Sequence, residues 1–202
     1  MKWNSDVKAY IEFFKDGCPT YLRPVRCLGC GFQGIIHRHG HYTRMVVTLC
    51  NEYTIIIFRF KCPDCGETYS LKPTFIGSNR QATWDVEESI VQRNETGMPL
   101  AELAKNFLPP AGPYSEKTFW RWTNIWKQRI ETIHDFVFNE VLNKIPNLAI
   151  PVGKGKPQTT KEWLSYLWYK WKDAFLSQED TGFFHWLYRM YNFDSIPYFT
   201  KL

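Results

Sequence analysis

Cys27-Leu-Gly-Cys30-Gly31 and Cys62-Pro-Asp-Cys65-Gly66 decide how this chain folds. Each stretch is a Cys-x-x-Cys pair followed directly by glycine. Four thiolates in two such knuckles satisfy a tetrahedral Zn²⁺, and the glycine after each pair lets the backbone turn so that its amides face the sulfurs. Strand-like sequence joins the knuckles, the layout of a zinc ribbon. Two disulfides or four free thiols are the alternatives, but paired knuckles in a reduced chain are more often metal ligands. Cys27, Cys30, Cys62 and Cys65 are therefore read as ligands of one structural Zn²⁺, leaving Cys18 and Cys50 without a role.

Outward from the knuckles, Gly34 to Leu49 reads as two strand segments around Gly40, and Glu52 to Phe60 as a strand rich in β-branched and aromatic residues. Thr68 to Arg80 follows as a last edge strand and then a linker broken by proline and glycine. A three-stranded sheet of this size buries too little apolar area to stand alone, so the metal is expected to contribute folding energy. Upstream, Val7, Tyr10, Ile11 and Phe14 recur at helical spacing before Asp16-Gly-Cys-Pro19, giving a short helix that packs on the ribbon.

His37, His39 and His41 alternate, which in a regular strand places them on one face. They read as further metal ligands, as a two-histidine nuclease motif, or as ordinary strand residues. Arg38 stands where the nuclease motif wants an apolar residue, which favours the ordinary reading. Arg38, Tyr42 and Arg44 fall on the other alternation, where they can meet phosphate, with Arg59 and Lys61 adding charge.

Residues 81–145 read as a helix-turn-helix module. Thr83 can cap a helix to about Arg93, with Asp85, Glu87 and Glu88 in its first turn. Gly97 and Pro99 break it. Leu100 to Phe107 forms a short second helix with Leu100, Leu103, Ala104 and Phe107 on one face. After Leu108 to Pro113, Ser115 caps a third helix reaching about Lys144. Phe119, Trp122, Trp126, Ile130, Ile133 and Val137 form its buried stripe. Ser115, Lys117, Thr118, Arg121, Asn124 and Lys127 offer donors for base edges and phosphates, with Gln128 beyond them. A plain helical bundle with a solvated polar face is the alternative.

Residues 146–160 read as a basic linker. Beyond it lies an aromatic helix with Trp163, Leu164, Leu167, Trp168, Trp171, Phe175 and Leu176 on one face, then a second from about Phe183 to Tyr191. These aromatics build a core or, as the alternative, a partner or dimer face. The fold class is thus α+β: a small Cys₄ zinc-ribbon β-domain (25–80) after an N-terminal helical extension (1–24), then a helix-turn-helix domain (81–145), a linker (146–160) and C-terminal aromatic helices (161–202).

Charge adds a weaker constraint. Residues 1–80 carry +5, residues 81–145 carry −2 and residues 146–202 carry +2. Four thiolates with one divalent ion lower the first figure to +3, still basic as contact with nucleic acid requires. Asp6, Lys8 and Glu12 interrupt the first residues and no long apolar run occurs, so neither a secretory leader nor a membrane span is expected. A reduced, cytoplasmic protein is the expectation.

Taken together, Cys-x-x-Cys-Gly31, Arg38-His-Gly-x-Tyr42-x-Arg44 and Phe60-Lys-Cys-Pro-Asp-Cys-Gly-Glu-Thr-Tyr-Ser-Leu-Lys-Pro73 resemble an uncharacterised family of zinc-ribbon proteins carried by bacterial insertion sequences and transposons. Ser115-x-x-Thr-x-x-Arg-Trp122 resembles that family's recognition-helix signature. The resemblance spans about residues 25–130 and leaves 146–202 without a counterpart. It implies DNA binding in a mobile element, as a transposition accessory or regulator. Double-stranded DNA is then the expected partner, with a transposase or self-association as further possibilities and no small-molecule substrate. The alternative is an adaptor that binds a transposase through the ribbon and the aromatic helices. An enzyme is not expected: a transposase core needs spaced carboxylates on a larger domain, the acidic residues here read mainly as helix surface, and a filled Cys₄ site leaves no position for water.

Overall fold

The computed structural model describes residues 6–106, 114–149, 151–175, 182–191 and 199–201. Phe107, the Leu108 to Pro113 break and Leu176 lie outside them. The chain combines helices and an antiparallel sheet in two compact units. One takes residues up to Trp84 together with Leu187 onwards; the other runs Asp85–Trp186.

In the first unit, α1 (Val7–Phe14) opens on Asp6, whose carboxylate accepts from the Ala9 amide at 2.9 Å. Val7, Tyr10 and Phe14 are buried. The Tyr10 hydroxyl donates to the Ile56 carbonyl at 2.9 Å, so α1 is tied to the sheet by a polar bond as well as by packing. The sheet has the order β1 (His37–Val47), β2 (Glu52–Lys61), β3 (Thr68–Leu71), β4 (Phe199–Lys201), each pair antiparallel.

β1 is one strand, where the sequence suggested two segments around Gly40. Its partners on β2 step from Arg38–Phe60 to His41–Phe58, so β1 carries an extra residue there. Gly40 takes φ +99°, which glycine adopts without a Cβ penalty, and the strand continues through a bulge. The bulge also shifts the alternation. His37 lies opposite Lys61 and His41 opposite Phe58, on different faces, so the three histidines do not form a row. β3 is not an edge either, because β4 supplies its outer hydrogen bonds.

The run from Lys72 to Arg80, expected as a linker, is packed instead. Lys72 to Gly77 are buried, and Phe75 and Ile76 belong to the same core as Tyr10, Ile55, Ile57 and Phe60. Their backbone is held from several sides. The Val47 amide donates to the Gln81 carbonyl at 2.8 Å, the Trp84 indole to the Thr74 carbonyl at 2.7 Å, and Arg44 to the carbonyls of Gly77 and Arg80. A side chain at Gly77 would collide with the Trp84 ring. Proline and glycine here shape a packed connection rather than a tether.

The second unit contains α2 (Trp84–Glu95), α3 (Leu100–Asn106), α4 (Glu116–Lys144), α5 (Thr160–Phe175) and the start of α6 (Phe183–Tyr191). Ser115 caps α4, accepting from the Thr118 amide at 3.3 Å. The expected stripe of α4 is buried from Phe119 to Val137 and extends to Val141. Leu103 is the buried anchor of α3. Thr159 and Glu162 cap α5 reciprocally: the Glu162 amide donates to the Thr159 hydroxyl, and the Thr159 amide to the Glu162 carboxylate, both at 3.2 Å. Leu164, Leu167, Trp171 and Phe175 are buried, so this aromatic face builds core.

The acidic residues of α2 depart from the surface placement expected of them. Glu87, Glu88 and Glu95 are all buried. Glu87 accepts from the Trp126 indole at 3.0 Å. Glu88 accepts from the Trp168 indole at 2.8 Å and the Phe184 amide at 3.0 Å, binding α2 to α5 and α6. Glu95 pairs with Lys127 at 3.5 Å. Burial raises the Glu88 carboxyl above its usual range, while these donors pull it down in part. Tryptophan makes this possible: its large ring fills the core while its single N–H satisfies a carboxylate there.

Arg44→Ala is expected to destabilise the sheet unit by roughly 1–3 kcal/mol, since two partly buried carbonyls lose a charged donor. Chemical denaturation followed by circular dichroism checks this; an unchanged midpoint would contradict it.

Candidate metal centre

The two knuckles are built alike. Gly31 and Gly66 both take positive φ, +79° and +76°, as the turn back requires. Each glycine amide donates to the carbonyl of its knuckle's first cysteine, Gly31 to Cys27 at 3.0 Å and Gly66 to Cys62 at 3.1 Å. Each first cysteine's own amide is taken from beyond the turn, Cys27 by the Phe32 carbonyl and Cys62 by the Glu67 carbonyl, both at 2.8 Å. Cys27 and Cys62 are consequently buried, while Cys30 and Cys65 sit at the surface.

All four sulfurs lie within 4.8 Å of one another. Cys27 and Cys65 are 3.6 Å apart, and Cys30 and Cys62 are 3.8 Å apart. A tetrahedral ion with metal–sulfur bonds of about 2.3 Å requires sulfur–sulfur edges of about 3.8 Å, so the set fits. These separations are far beyond a disulfide bond of about 2.05 Å, and the six cysteines are free thiols. Among the described residues these four form the group placed to hold a metal ion, and no histidine joins them.

The electrostatics of the thiols points to a cation. Burial opposes ionisation of Cys27, but the Cys30 and Gly29 amides and the Tyr69 hydroxyl outweigh it and bring the thiol down to about 6. For Cys30 the Phe32 amide favours the thiolate, yet desolvation of the sulfur within the cluster and the other three sulfurs push it up to about 12. Cys65 is raised too, by the same local desolvation first and by Cys27 and Cys62 next. One thiolate in the cluster suppresses the next. Four can coexist only around a positive ion.

Tyr69 and Glu67 complete the centre, and the sequence reading missed both. The Tyr69 hydroxyl accepts from the Leu28 and Gly29 amides at 3.2 Å each, and its single proton is shared between the Cys27 sulfur at 2.9 Å and the Glu67 carboxylate at 2.8 Å. One buried tyrosine on β3 thus fixes the first knuckle from the strand that follows the second. The Glu67 carboxylate lies so close over Gly29 that a Cβ there would overlap it. Glycine within the first knuckle is the signal that such a close approach leaves in a sequence.

An open groove of about 440 Å³ adjoins the second knuckle, lined by His37, Arg38, His39, Lys61 and residues 62–66. Arg38 also donates to the Cys18 carbonyl. Cys18 is a buried core residue, and Cys50 is exposed.

The remaining candidate residues divide clearly. Tyr42 is half-buried against the core and Arg44 is turned onto the 77–80 loop, whereas Arg38 is exposed, so the three do not share one open surface. On α4, Ser115 and Thr118 bond to each other at 3.0 Å, and Lys127 faces buried Glu95. Lys117 and Arg121 are exposed and Asn124 half-buried, all away from the apolar stripe. No family model, curated protein or solved structure matches the chain. No described helix is long and apolar enough to cross a membrane.

Tyr69→Phe is expected to weaken metal affinity about ten-fold or more, as loss of a ligand's supporting hydrogen bond does. Competition with a chromogenic chelator checks this; wild-type affinity would contradict it. Because Cys30 and Cys65 are raised, they keep their protons at neutral pH without metal. Metal uptake should expel both, and acidification should drive the metal off. Calorimetry in buffers of differing ionisation enthalpy reads that release directly, and no proton release would contradict it.

Proposed function

We propose that this is a DNA-binding protein of a bacterial mobile element, a transposition accessory or regulator built from a zinc ribbon and a helix-turn-helix. Zn²⁺ is the ion proposed for the four cysteines. When bound it supplies the charge that lets four thiolates share one site, with no position left for substrate. An S₄ tetrahedron also suits iron, so metal analysis of purified protein is the check. Stoichiometric zinc is expected; a coloured, iron-loaded protein would contradict it.

One observation carries the DNA reading. α4 keeps Lys117, Arg121 and Asn124 free of its core stripe in the first turns after the Ser115 cap, where a recognition helix meets bases and phosphates. The resemblance of Ser115-x-x-Thr118-x-x-Arg121-Trp122 to a mobile-element signature supports the same assignment. Further along, the exposed side of α4 turns acidic at Glu131 and Asp135, which confines a polyanion to the first turns. α2 and α3, joined by the Gly97 turn, are the two helices expected ahead of a recognition helix. The adaptor alternative has less to rest on, since much of the aromatic face of α5 is buried in the core.

Fluorescence anisotropy with labelled duplex should show binding that weakens steeply with salt. Arg121→Ala is expected to reduce affinity about ten-fold and, if the contact is to phosphate, to lower the salt slope by about one. Absence of duplex binding at low salt would overturn the reading.

A further inference from the structure

Trp120 stands apart from the other described tryptophans. Trp122 packs against Tyr114 and Phe119, with ring centroids 5.1 and 5.5 Å away. Trp126 stacks on Phe184 at 3.6 Å and donates to Glu87. Trp168 donates to Glu88, and Trp84 to a buried carbonyl. Trp120 is 56% exposed, and no described side chain stacks on its ring or accepts from its indole N–H.

Its position is equally specific. Lys117, Trp120, Arg121 and Asn124 lie three and four residues apart, so they form one patch across two turns of α4. An indole set among cations and amides is the combination that holds nucleic-acid bases: charge takes the backbone, and the ring takes a base face. Within a fully paired duplex, base faces are hidden by their neighbours and only edges are presented in the grooves. An indole has one donor and no acceptor with which to read such edges. Its large face is matched only by a base that has left the stack.

We propose that Trp120 is a stacking platform for an unpaired base. The ligand of this face is then DNA in which duplex adjoins an unpaired nucleotide, as at a bulge, an overhang or a junction. Lys117 and Arg121 hold the flanking phosphates, and Trp120 supplies the preference for the unpaired site. This deepens the reading of α4 as the DNA-binding face and rests on it.

The test compares wild type, Trp120→Phe and Trp120→Ala on a labelled, fully paired duplex and on the same duplex carrying one unpaired adenine, at one salt concentration. Circular dichroism confirms that the variants are folded, as an exposed site allows. Wild type is expected to bind the bulged duplex about ten-fold or more tightly than the paired one. Trp120→Ala should lose that preference while keeping its affinity for the paired duplex, and Trp120→Phe should fall between. A fluorescent adenine analogue at the bulge should be quenched by wild type and not by Trp120→Ala. Equal wild-type affinity for the two DNAs would overturn the proposal. So would an equal loss on both in Trp120→Ala, the mark of a wedge or a general contact. Binding to neither DNA would instead sink the DNA reading of α4 itself, and this inference with it.

Discussion

Four thiols drawn within 4.8 Å of each other are the constraint on which the sheet unit depends. Left to themselves they oppose one another's ionisation, and the geometry that brings them together is rewarded only when a cation is shared. The two knuckles flank the β1–β2 hairpin at its open end, where His37 pairs with Lys61, so closing the cluster also sets where the strands begin and end. Tyr69 extends that closure into β3 by grasping the first knuckle's amides and the Cys27 sulfur together. The centre is therefore a staple whose hydrogen-bonded frame belongs to the same strands that it holds.

The second unit solves a different problem by different means. It is rich in tryptophan and has no metal-binding cysteines. Glu87 and Glu88 are carried inside, where an indole N–H meets one oxygen of Glu87, and an indole N–H and a backbone amide meet Glu88. A buried carboxylate with several donors is costly to expose to an apolar alternative packing, because leaving its partners would strand both charge and donors. Such groups favour one arrangement of α2, α4, α5 and α6 over others of similar apolar content.

How much of this was legible in the sequence differs by the range of the interactions. The knuckles, the buried stripe of α4 and the Ser115 cap rest on spacing of a few residues, and each stands where the spacing put it. The bulge at Gly40 escaped notice because a glycine can end a strand or bend it, and only the partner strand decides which. The run up to Arg80 reads as a linker because Pro73 and Gly77 are breakers locally; its packing comes from Arg44, Val47 and Trp84, known only from the fold. The same holds for Glu88, whose donors come from α5 and α6. Local pattern placed it on the solvated side of a first turn, and tertiary contacts overrode that. At the metal centre the ligands were readable and their support was not, since nothing local marks Tyr69 as a partner of Cys27.

The central claim is that the four-cysteine centre holds the sheet unit together, while the helices of the other unit rest on their own core. Hydrogen exchange of the purified protein, with and without a strong chelator, tests this most directly. Chelation should abolish protection along β1, β2 and β3 while α4 and α5 keep theirs. Unchanged protection in the sheet after the metal has been removed would contradict the account.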